Sequence, residues 1–294
     1  MKHSPKRNQR VLIVGGNSTI GSELYKVLSS QGFIVDVTTR KESNISSNYY
    51  FLDLTDKKSF NSISNHYYNT AIICSAITSI AECDKDPSFS YIVNVDAIID
   101  IIDRLSDLGT HVIFISTSLV FDGSIAFPGP LNRKNPLCHY AEQKSIVEDY
   151  LLANYLSATI IRFSKVIPPK YPLFADWISS LTLGKPIYPF KDKNLSPVTL
   201  SYTVLILAWL VKHRQSGLYQ VSSKSEITYL DAALYLAELK CLDTSLVIPT
   251  RSFSCAISDG IDNKPLFSTL QFSPQLSVVF SIPSPYYAIR ESLK

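Results

Sequence analysis

Tyr140 and Lys144 stand four residues apart in Tyr140-Ala141-Glu142-Gln143-Lys144, a spacing that puts both on one face of a helix. A lysine ammonium beside a phenol favours the phenolate and lowers the tyrosine pKa from its usual value of about 10. Such a phenol can donate or accept a proton near neutrality. With 17 tyrosines in the chain, the pair alone is a weak signal. It gains weight from Ser116-Thr117-Ser118, a hydroxyl cluster that closes the apolar run Ile113-Phe114-Ile115. The C-terminal end of a strand is where an open α/β sheet presents groups to a ligand. Cys138 and His139 precede Tyr140 and form a competing acid–base pair. Adjacent residues on an extended segment point opposite ways, so both are expected to face substrate or solvent.

A second constellation opens the chain. Val11-Leu-Ile-Val14 runs into Gly15-Gly16-Asn17-Ser18-Thr19-Ile20-Gly21, which reads as a buried strand, a tight turn and a helix start. Gly15 can make the turn, and Gly21 lets the helix approach the strand closely. The amides between them can meet a pyrophosphate at the helix N-terminus. Ser18 stands where a middle glycine is usual. The next strand ends at Val37-Thr38-Thr39-Arg40. Asp36 lies too early for the ribose 2′-hydroxyl, whereas Arg40 at the tip suits a 2′-phosphate. The expected cofactor is therefore NADP(H), with NAD(H) as the alternative.

These residues need a scaffold. Short β-branched runs at Val11–Val14, Phe33–Thr38, Thr70–Cys74, His111–Ile115 and Thr159–Arg162 alternate with helical stretches at Ile20–Ser30, Lys57–Asn65, Tyr91–Leu108 and Tyr140–Leu156. Tyr49–Leu52 reads as a further short strand. The alternation predicts βαβ units and a doubly wound parallel sheet. After Ile167 the texture changes: Pro168, Pro169, Pro172, Pro186 and Pro189 crowd together, and helices are expected at Val204–Lys212 and Tyr229–Leu239. The predicted organisation is an α/β dinucleotide-binding domain over 1–167. A smaller C-terminal lobe for substrate follows over 168–294, with a stretch near 196–222 returning to the first domain.

Composition narrows the function classes. A net charge of +3 gives no basic surface for nucleic acid or a membrane. No apolar run approaches a bilayer span, and no signal-peptide core follows the basic start. Five scattered cysteines without a CxxC or a Cys/His cluster suggest neither disulfides nor a metal site, and point to a reducing cytoplasmic setting. His66, His111 and His213 read as structural. Phe174 and Trp177 are open between stacking on a base and packing a core, and Arg251 is a candidate for a diphosphate.

Taken in order, the motifs resemble an extended short-chain dehydrogenase/reductase. They are most similar to the dTDP-4-dehydrorhamnose reductase family of sugar-nucleotide reductases. Gly15…Gly21 resembles its glycine turn, and Phe51-Leu52-Asp53-Leu54-Thr55-Asp56 its acidic strand end. Ile73-Cys74-Ser75-Ala76-Ile77-Thr78 resembles the stretch that lines the cofactor. Glu82-Cys83-Asp84…Pro87 and Val93-Asn94-Val95 follow in order, as do Ser116 to Gly123 and Pro136…Tyr140…Lys144…Glu148. Arg162, Asp192…Ser196-Pro197-Val198, Gly217-Leu218-Tyr219 and Lys264-Pro265…Leu270 complete the match over nearly the whole chain.

The resemblance implies a Rossmann-type fold and a catalytic set of Thr117, Tyr140 and Lys144. Tyr140 would protonate the substrate oxygen as hydride arrives, Lys144 would bind the nicotinamide ribose, and Thr117 would hold the carbonyl. It places Gly15, Asn17, Ser18, Thr19, Ile20 and Gly21 on the diphosphate, Arg40, Asp53 and Leu54 around the adenosine, and Cys74, Ser75, Ala76, Asn94 and Ser116 along the cofactor. It implies a nucleotide-linked sugar as substrate, a role in deoxysugar and polysaccharide biosynthesis, and admits a homodimer. Departures occur at Ser18, Ile73, Ile77, Ser118, Leu119, Glu142 and Gln143. Ser118 and Leu119 argue against dehydration, which uses acidic residues there. The expected function is reduction of a nucleotide-linked keto-deoxysugar. A 4-epimerase cycling its own NAD, or a non-catalytic dinucleotide-binding regulatory subunit, are the alternatives.

Overall fold

Val11, Leu12, Ile13 and Val14 are all wholly buried, as a central strand covered on both faces requires. They form β1 (Arg10–Val14) in a computed structural model that describes residues 9–64, 66–252 and 267–294. Asn65, Cys255, Lys264 and Pro265 lie outside the described residues. From β1 the chain continues through α1 (Thr19–Ser30), β2 (Ile34–Thr39), β3 (Tyr49–Phe51), β4 (Thr70–Ile73), α2 (Ile80–Lys85), α3 (Pro87–Tyr91) and α4 (Ala97–Asp107). It then makes β5 (His111–Thr117), α5 (His139–Asn154), β6 (Thr159–Phe163), β7 (Lys165–Ile167), α6 (Pro172–Thr182), β8 (Asn194–Leu195) and β9 (Pro197–Thr199). The last elements are α7 (Leu200–His213), β10 (Gly217–Val221), β11 (Ile227–Thr228), α8 (Tyr229–Leu239), α9 (Pro274–Ser277) and α10 (Pro285–Glu291).

The seven-stranded sheet has the order β10-β6-β5-β4-β1-β2-β3. The run from β5 to β3 is parallel, with Val11 opposite Val35 on one side and Thr70 on the other. Alternation sends Leu12, Val14, Ala71, Ile73, Val112 and Phe114 into one core, where Ile98, Ile101 and Leu105 of α4 and Val147 and Leu151 of α5 meet them. Leu24 and Leu28 of α1 are also wholly buried. This is the Rossmann-type architecture, with an additional helical region in the C-terminal part. No helix among the described residues is long and apolar enough to cross a membrane.

The molecule divides into two units that are interleaved along the chain. The first comprises residues 1–116, 138–161 and 204–218, and the second 117–137, 162–203 and 219–294. The second unit has its own apolar core of Ile167, Phe174, Leu195, Ile227, Leu236 and Ile289. Phe174 belongs to that core, and Trp177 packs against Phe174 and Tyr229 at ring separations of 5.6 and 6.4 Å. The pair is therefore core. Arg162 is wholly buried in the same unit, donating to Pro130 O at 3.1 Å and Gln220 Oε1 at 3.0 Å.

Three local expectations change. The stretch 57–65 is not an α-helix but a 3₁₀ helix over Lys57–Ile63. Asp56 caps its start through Lys58 N, and i+3 bonds such as Ser59 N to Asp56 O tighten it. The helix expected over Tyr91–Leu108 is interrupted by a π-helical turn, Ile92–Asp96, before α4. The proline-rich stretch after Ile167 contains α6, with Pro172 in its first turn, where the ring's fixed φ suits a helix start. Asp36 is also explained. It is buried and takes a 2.7 Å ion pair from Arg10 Nε, so it acts inside the sheet.

His111 opens β5 in the interior, with Nε2 2.9 Å from Thr159 Oγ1. Burial, with the positive charge of Arg214, pushes its pKa down from 6.5 to about 4. The folded ring stays neutral where the unfolded one protonates, so stability is fully present above 6.5 and lost as pH falls towards 4. Urea titrations across this window should show a loss approaching about 3 kcal/mol. His111→Gln should flatten that slope, and an unchanged slope would refute the assignment.

Candidate active site

The turn after β1 is built by contact between backbones. Gly15 has φ +93°, and a Cβ there would sit 2.3 Å from Ser75 Oγ. A Cβ on Gly21 would sit 2.3 Å from Gly15 O. Gly15 N donates to Thr38 Oγ1 at 2.9 Å, tying the turn to the end of β2. Ser18 has φ −72°, so its backbone does not need a glycine. Its hydroxyl donates to Gly15 O at 2.8 Å and accepts from Gly21 N at 3.0 Å. The serine thus caps α1, and the amides of Thr19 and Ile20 in the first turn have no acceptor inside the helix. Those amides and the helix dipole favour an anion.

A cavity of 530 Å³ opens beside this turn. Gly15, Asn17 and Ser18 form one wall, and Cys74, Ser75 and Ala76 after β4 form another. Arg40, Asp53 and Leu54 line the third side. The Asp53 carboxyl accepts from the amide and hydroxyl of Thr55, both at 2.8 Å. Those bonds, with a smaller contribution from Arg40, hold its pKa below the ordinary value. Arg40 is exposed and makes no hydrogen bond or ion pair with any described residue. Asn17 is held by Thr39, its Nδ2 donating to Thr39 Oγ1 at 2.6 Å. Size, anion-favouring turn and a Cβ-free floor at Gly15 all fit a dinucleotide, which Arg40, Asp53 and the α1 N-terminus would hold.

The tyrosine and lysine lie on α5. Lys144 is buried, and its Nζ donates to Ile115 O at 3.0 Å near the end of β5. The amine also sits 4.6 Å from the Phe114 ring centre and 6.0 Å from that of Tyr140. Burial pulls the amine down from 10.5 to about 8. Tyr140 moves opposite to the sequence-based expectation: burial pushes its phenol above 10, with the thiols of Cys83 and Cys138 adding to the effect. The reason is that Lys144 is itself desolvated and directed at a carbonyl rather than at the phenol. Cys74 and Cys138 are pushed up by burial, Cys74 to about 12, so neither is a ready thiolate. His139 is exposed, with Nδ1 3.5 Å from Glu142 Oε2.

Thr117 ends β5, and its Oγ1 accepts from Leu119 N at 3.2 Å. Ser116 is buried, and its hydroxyl has no hydrogen-bond partner among the described residues. Asn94 comes from the π-helical turn, with Oδ1 accepting Ile77 N at 2.8 Å and Nδ2 donating to Ile77 O at 3.0 Å. It steadies the cavity wall through Ile77 and is not itself a lining residue. Thr19, Ile20 and Gly21 also lie outside the lining set, as do Ser116, Tyr140 and Lys144. Sequence reasoning missed Thr38, Lys41, Leu52, Thr55, Phe89 and Val93 as wall residues. Thr38 and Lys41 flank the noted Thr39-Arg40 tip of β2, and Leu52, Thr55 and Val93 lie within the quoted motifs around Asp53 and Asn94, so only Phe89 carried no usable signal.

The model of the RmlD substrate binding domain family matches residues 9–290, and the chain belongs to that family. It is 25% identical over 247 residues to the spore coat polysaccharide biosynthesis protein SpsK of Bacillus subtilis, covering 82% of this chain and 83% of the relative. It is also 25% identical over 244 residues to the probable low-salt glycan biosynthesis reductase of Haloferax volcanii, covering 80% and 81%. The crystal structure of dTDP-4-dehydrorhamnose reductase from Bacillus anthracis in complex with NADP superposes with a TM-score of 0.84 at 19% identity, covering 99% of both chains. The fold is that of an NAD(P)-dependent oxidoreductase.

Lys144 generates a measurable linkage. Its folded pKa lies near 8 and its unfolded value near 10.5, so between them the unfolded chain binds the extra proton. Stability therefore rises with pH across this window. Between pH 7.5 and 10 the wild-type protein should gain about 2–3 kcal/mol relative to Lys144→Met, measured by chemical denaturation. Equal slopes for the two proteins would contradict a desolvated amine.

Proposed function

We propose that this member of the RmlD substrate binding domain family is an NAD(P)H-dependent reductase of a nucleotide-linked keto-deoxysugar. The observation that carries this reading is the buried Lys144 amine, fixed on Ile115 O, one helical turn from Tyr140 in the unit that holds the dinucleotide-sized cavity. A reduced nicotinamide, when bound, supplies hydride to a carbonyl carbon. The chain's residues do the rest. Tyr140 gives its proton to the carbonyl oxygen, Thr117 holds that oxygen, and Lys144 engages ribose hydroxyls and keeps a positive charge near the phenol.

A phenol raised by burial keeps its proton at neutral pH, which suits donation to a developing alkoxide. Arg40 favours NADP(H): its exposed guanidinium lines the cavity without a hydrogen bond or ion pair to a described residue, and Lys41 beside it lines the same wall. Asp53 is assigned the adenine amino group. The roles for which the two relatives are named, spore coat polysaccharide and glycan biosynthesis, support a place in the making of a surface polysaccharide or glycan.

The test pairs binding with turnover. Wild-type protein should consume NADPH with a nucleotide-linked 4-keto-deoxysugar. Tyr140→Phe should lower kcat by about 10²–10⁴-fold while NADPH affinity, read by fluorescence titration, stays within about threefold. Arg40→Ala should weaken NADPH by about tenfold and leave NADH nearly unchanged. Dinucleotide binding without reduction of any such sugar would replace this reading with a regulatory subunit, and inversion without net NADPH consumption would replace it with an epimerase.

A further inference from the structure

Gln143 lies between Tyr140 and Lys144 in sequence but turns away from solvent, with only 2% of its surface exposed. Glu142 beside it is exposed. A buried primary amide left unpaired costs about 1–3 kcal/mol, and this one is paired at both ends. Gln143 Oε1 accepts from Asn94 Nδ2 at 2.8 Å, and Gln143 Nε2 donates to Ser90 Oγ at 2.8 Å. Ser90 is buried, and its hydroxyl donates a hydrogen bond to Pro87 O at 3.1 Å. The path from α5 through Gln143 therefore reaches α3 at Ser90 and the π-helical turn at Asn94.

Asn94 extends the path to the cavity. Its amide pairs with both the N–H and the C=O of Ile77, a side chain imitating one rung of a β ladder. Ile77 lines the cavity. Oδ1 is bonded to Ile77 N, and Nδ2 donates to Ile77 O and Gln143 Oε1, so both N–H donors of the asparagine are engaged. The extra residue of a π-turn is what swings it inward, and such turns recur at functional sites. α5 is anchored a second time at its start, where His139 N donates to Asp84 Oδ1 at 3.3 Å. That bond is long and exposed, so the Gln143 amide is the stronger restraint on how α5 sits against the cavity wall.

We propose that Gln143 is a positioning residue of the reduction: through Asn94 its amide ties the helix carrying Tyr140 and Lys144 to the cavity wall at Ile77. The inference rests on the reductase reading of this site and adds a residue to it. Gln143 does not touch the reacting atoms. It fixes the depth and rotation of the first two turns of α5 relative to whatever fills the cavity, and a displacement of about 1 Å there is enough to cost about 10²-fold in rate.

The test uses the full chain with NADPH and the keto-sugar that the wild-type protein reduces. Gln143→Met keeps the length of the side chain and loses both hydrogen bonds. It should lower kcat by at least about tenfold while KM and the NADPH dissociation constant stay within about threefold. Gln143→Glu keeps an acceptor for Asn94 Nδ2 and should recover a clear part of the lost kcat. If Gln143→Met does not fold, Ser90→Ala removes only the outer bond and is read in the same way, with a loss of about threefold or more expected. A variant that melts earlier but turns over within twofold of wild type would make Gln143 a purely structural residue and overturn the proposal. Absence of turnover in the wild-type protein would instead remove the reductase reading, and this inference with it.

Discussion

The structure depends on one close approach: the backbone of the turn after β1 lies against the backbone after β4. At Gly15 a single methyl group would collide with Ser75, and at Gly21 with Gly15 O. Because nothing larger than hydrogen fits at either position, α1 begins close beside the cavity, with its N-cap Ser18 on the cavity wall. Moving the two apart to accept a side chain would shift the helix N-terminus away from the site, and an interaction that depends on the first turn falls off over that distance. The parallel register of β1 between β2 and β4 is what holds the two turns at this separation.

The same unit then tolerates an unusual load of buried polar groups. Lys144, Asn94, Gln143 and Ser116 are all under one-tenth exposed. The first three are satisfied by specific partners, and the lysine is displaced from its ordinary titration range as a consequence of its burial. Ser116 keeps an unpaired hydroxyl at the end of β5, next to the carbonyl that anchors Lys144. A fold that gained only stability from these positions would fill them with apolar side chains. Their clustering along α5, the π-turn and the end of β5 is the pattern expected where positioning matters more than burial.

What the sequence disclosed followed from periodicity. β1, β2, β4, β5 and β6 are short β-branched runs in a repeating order, and their placement needed no tertiary information beyond the parallel-sheet rule. The glycine turn was legible because its residue types admit few backbone paths. The π-turn was not, since Ile92-Val-Asn-Val-Asp96 has the same apolar spacing as an α-helix and the extra residue is stabilised by Ile77, far away in sequence. α6 was hidden by a proline cluster that reads as loop, although Pro172 sits where a helix accepts it. The shift of Tyr140 was hidden for a different reason. Spacing puts a lysine near a phenol, but only the fold says that both are desolvated and that the ammonium is directed elsewhere.

The departures from the family pattern separate along the same line. Ser18 replaces a glycine at a position whose φ is negative, and its hydroxyl takes over the capping of Gly21 N. The substitution therefore exchanges backbone freedom, which the turn does not use, for a side-chain helix cap that gains roughly a few tenths of a kcal/mol over glycine. Ile73 replaces an amide with an alkyl side chain that is 1% exposed in the sheet core, where an unpaired amide would be costly. Gln143 goes the other way, placing an amide where a small side chain would leave Asn94 one bond short. Ser18 and Gln143 each bring a hydrogen bond of their own, at 3.0 and 2.8 Å. Such local compensation is what keeps the glycine turn, the cavity and α5 in place while the residues around them vary.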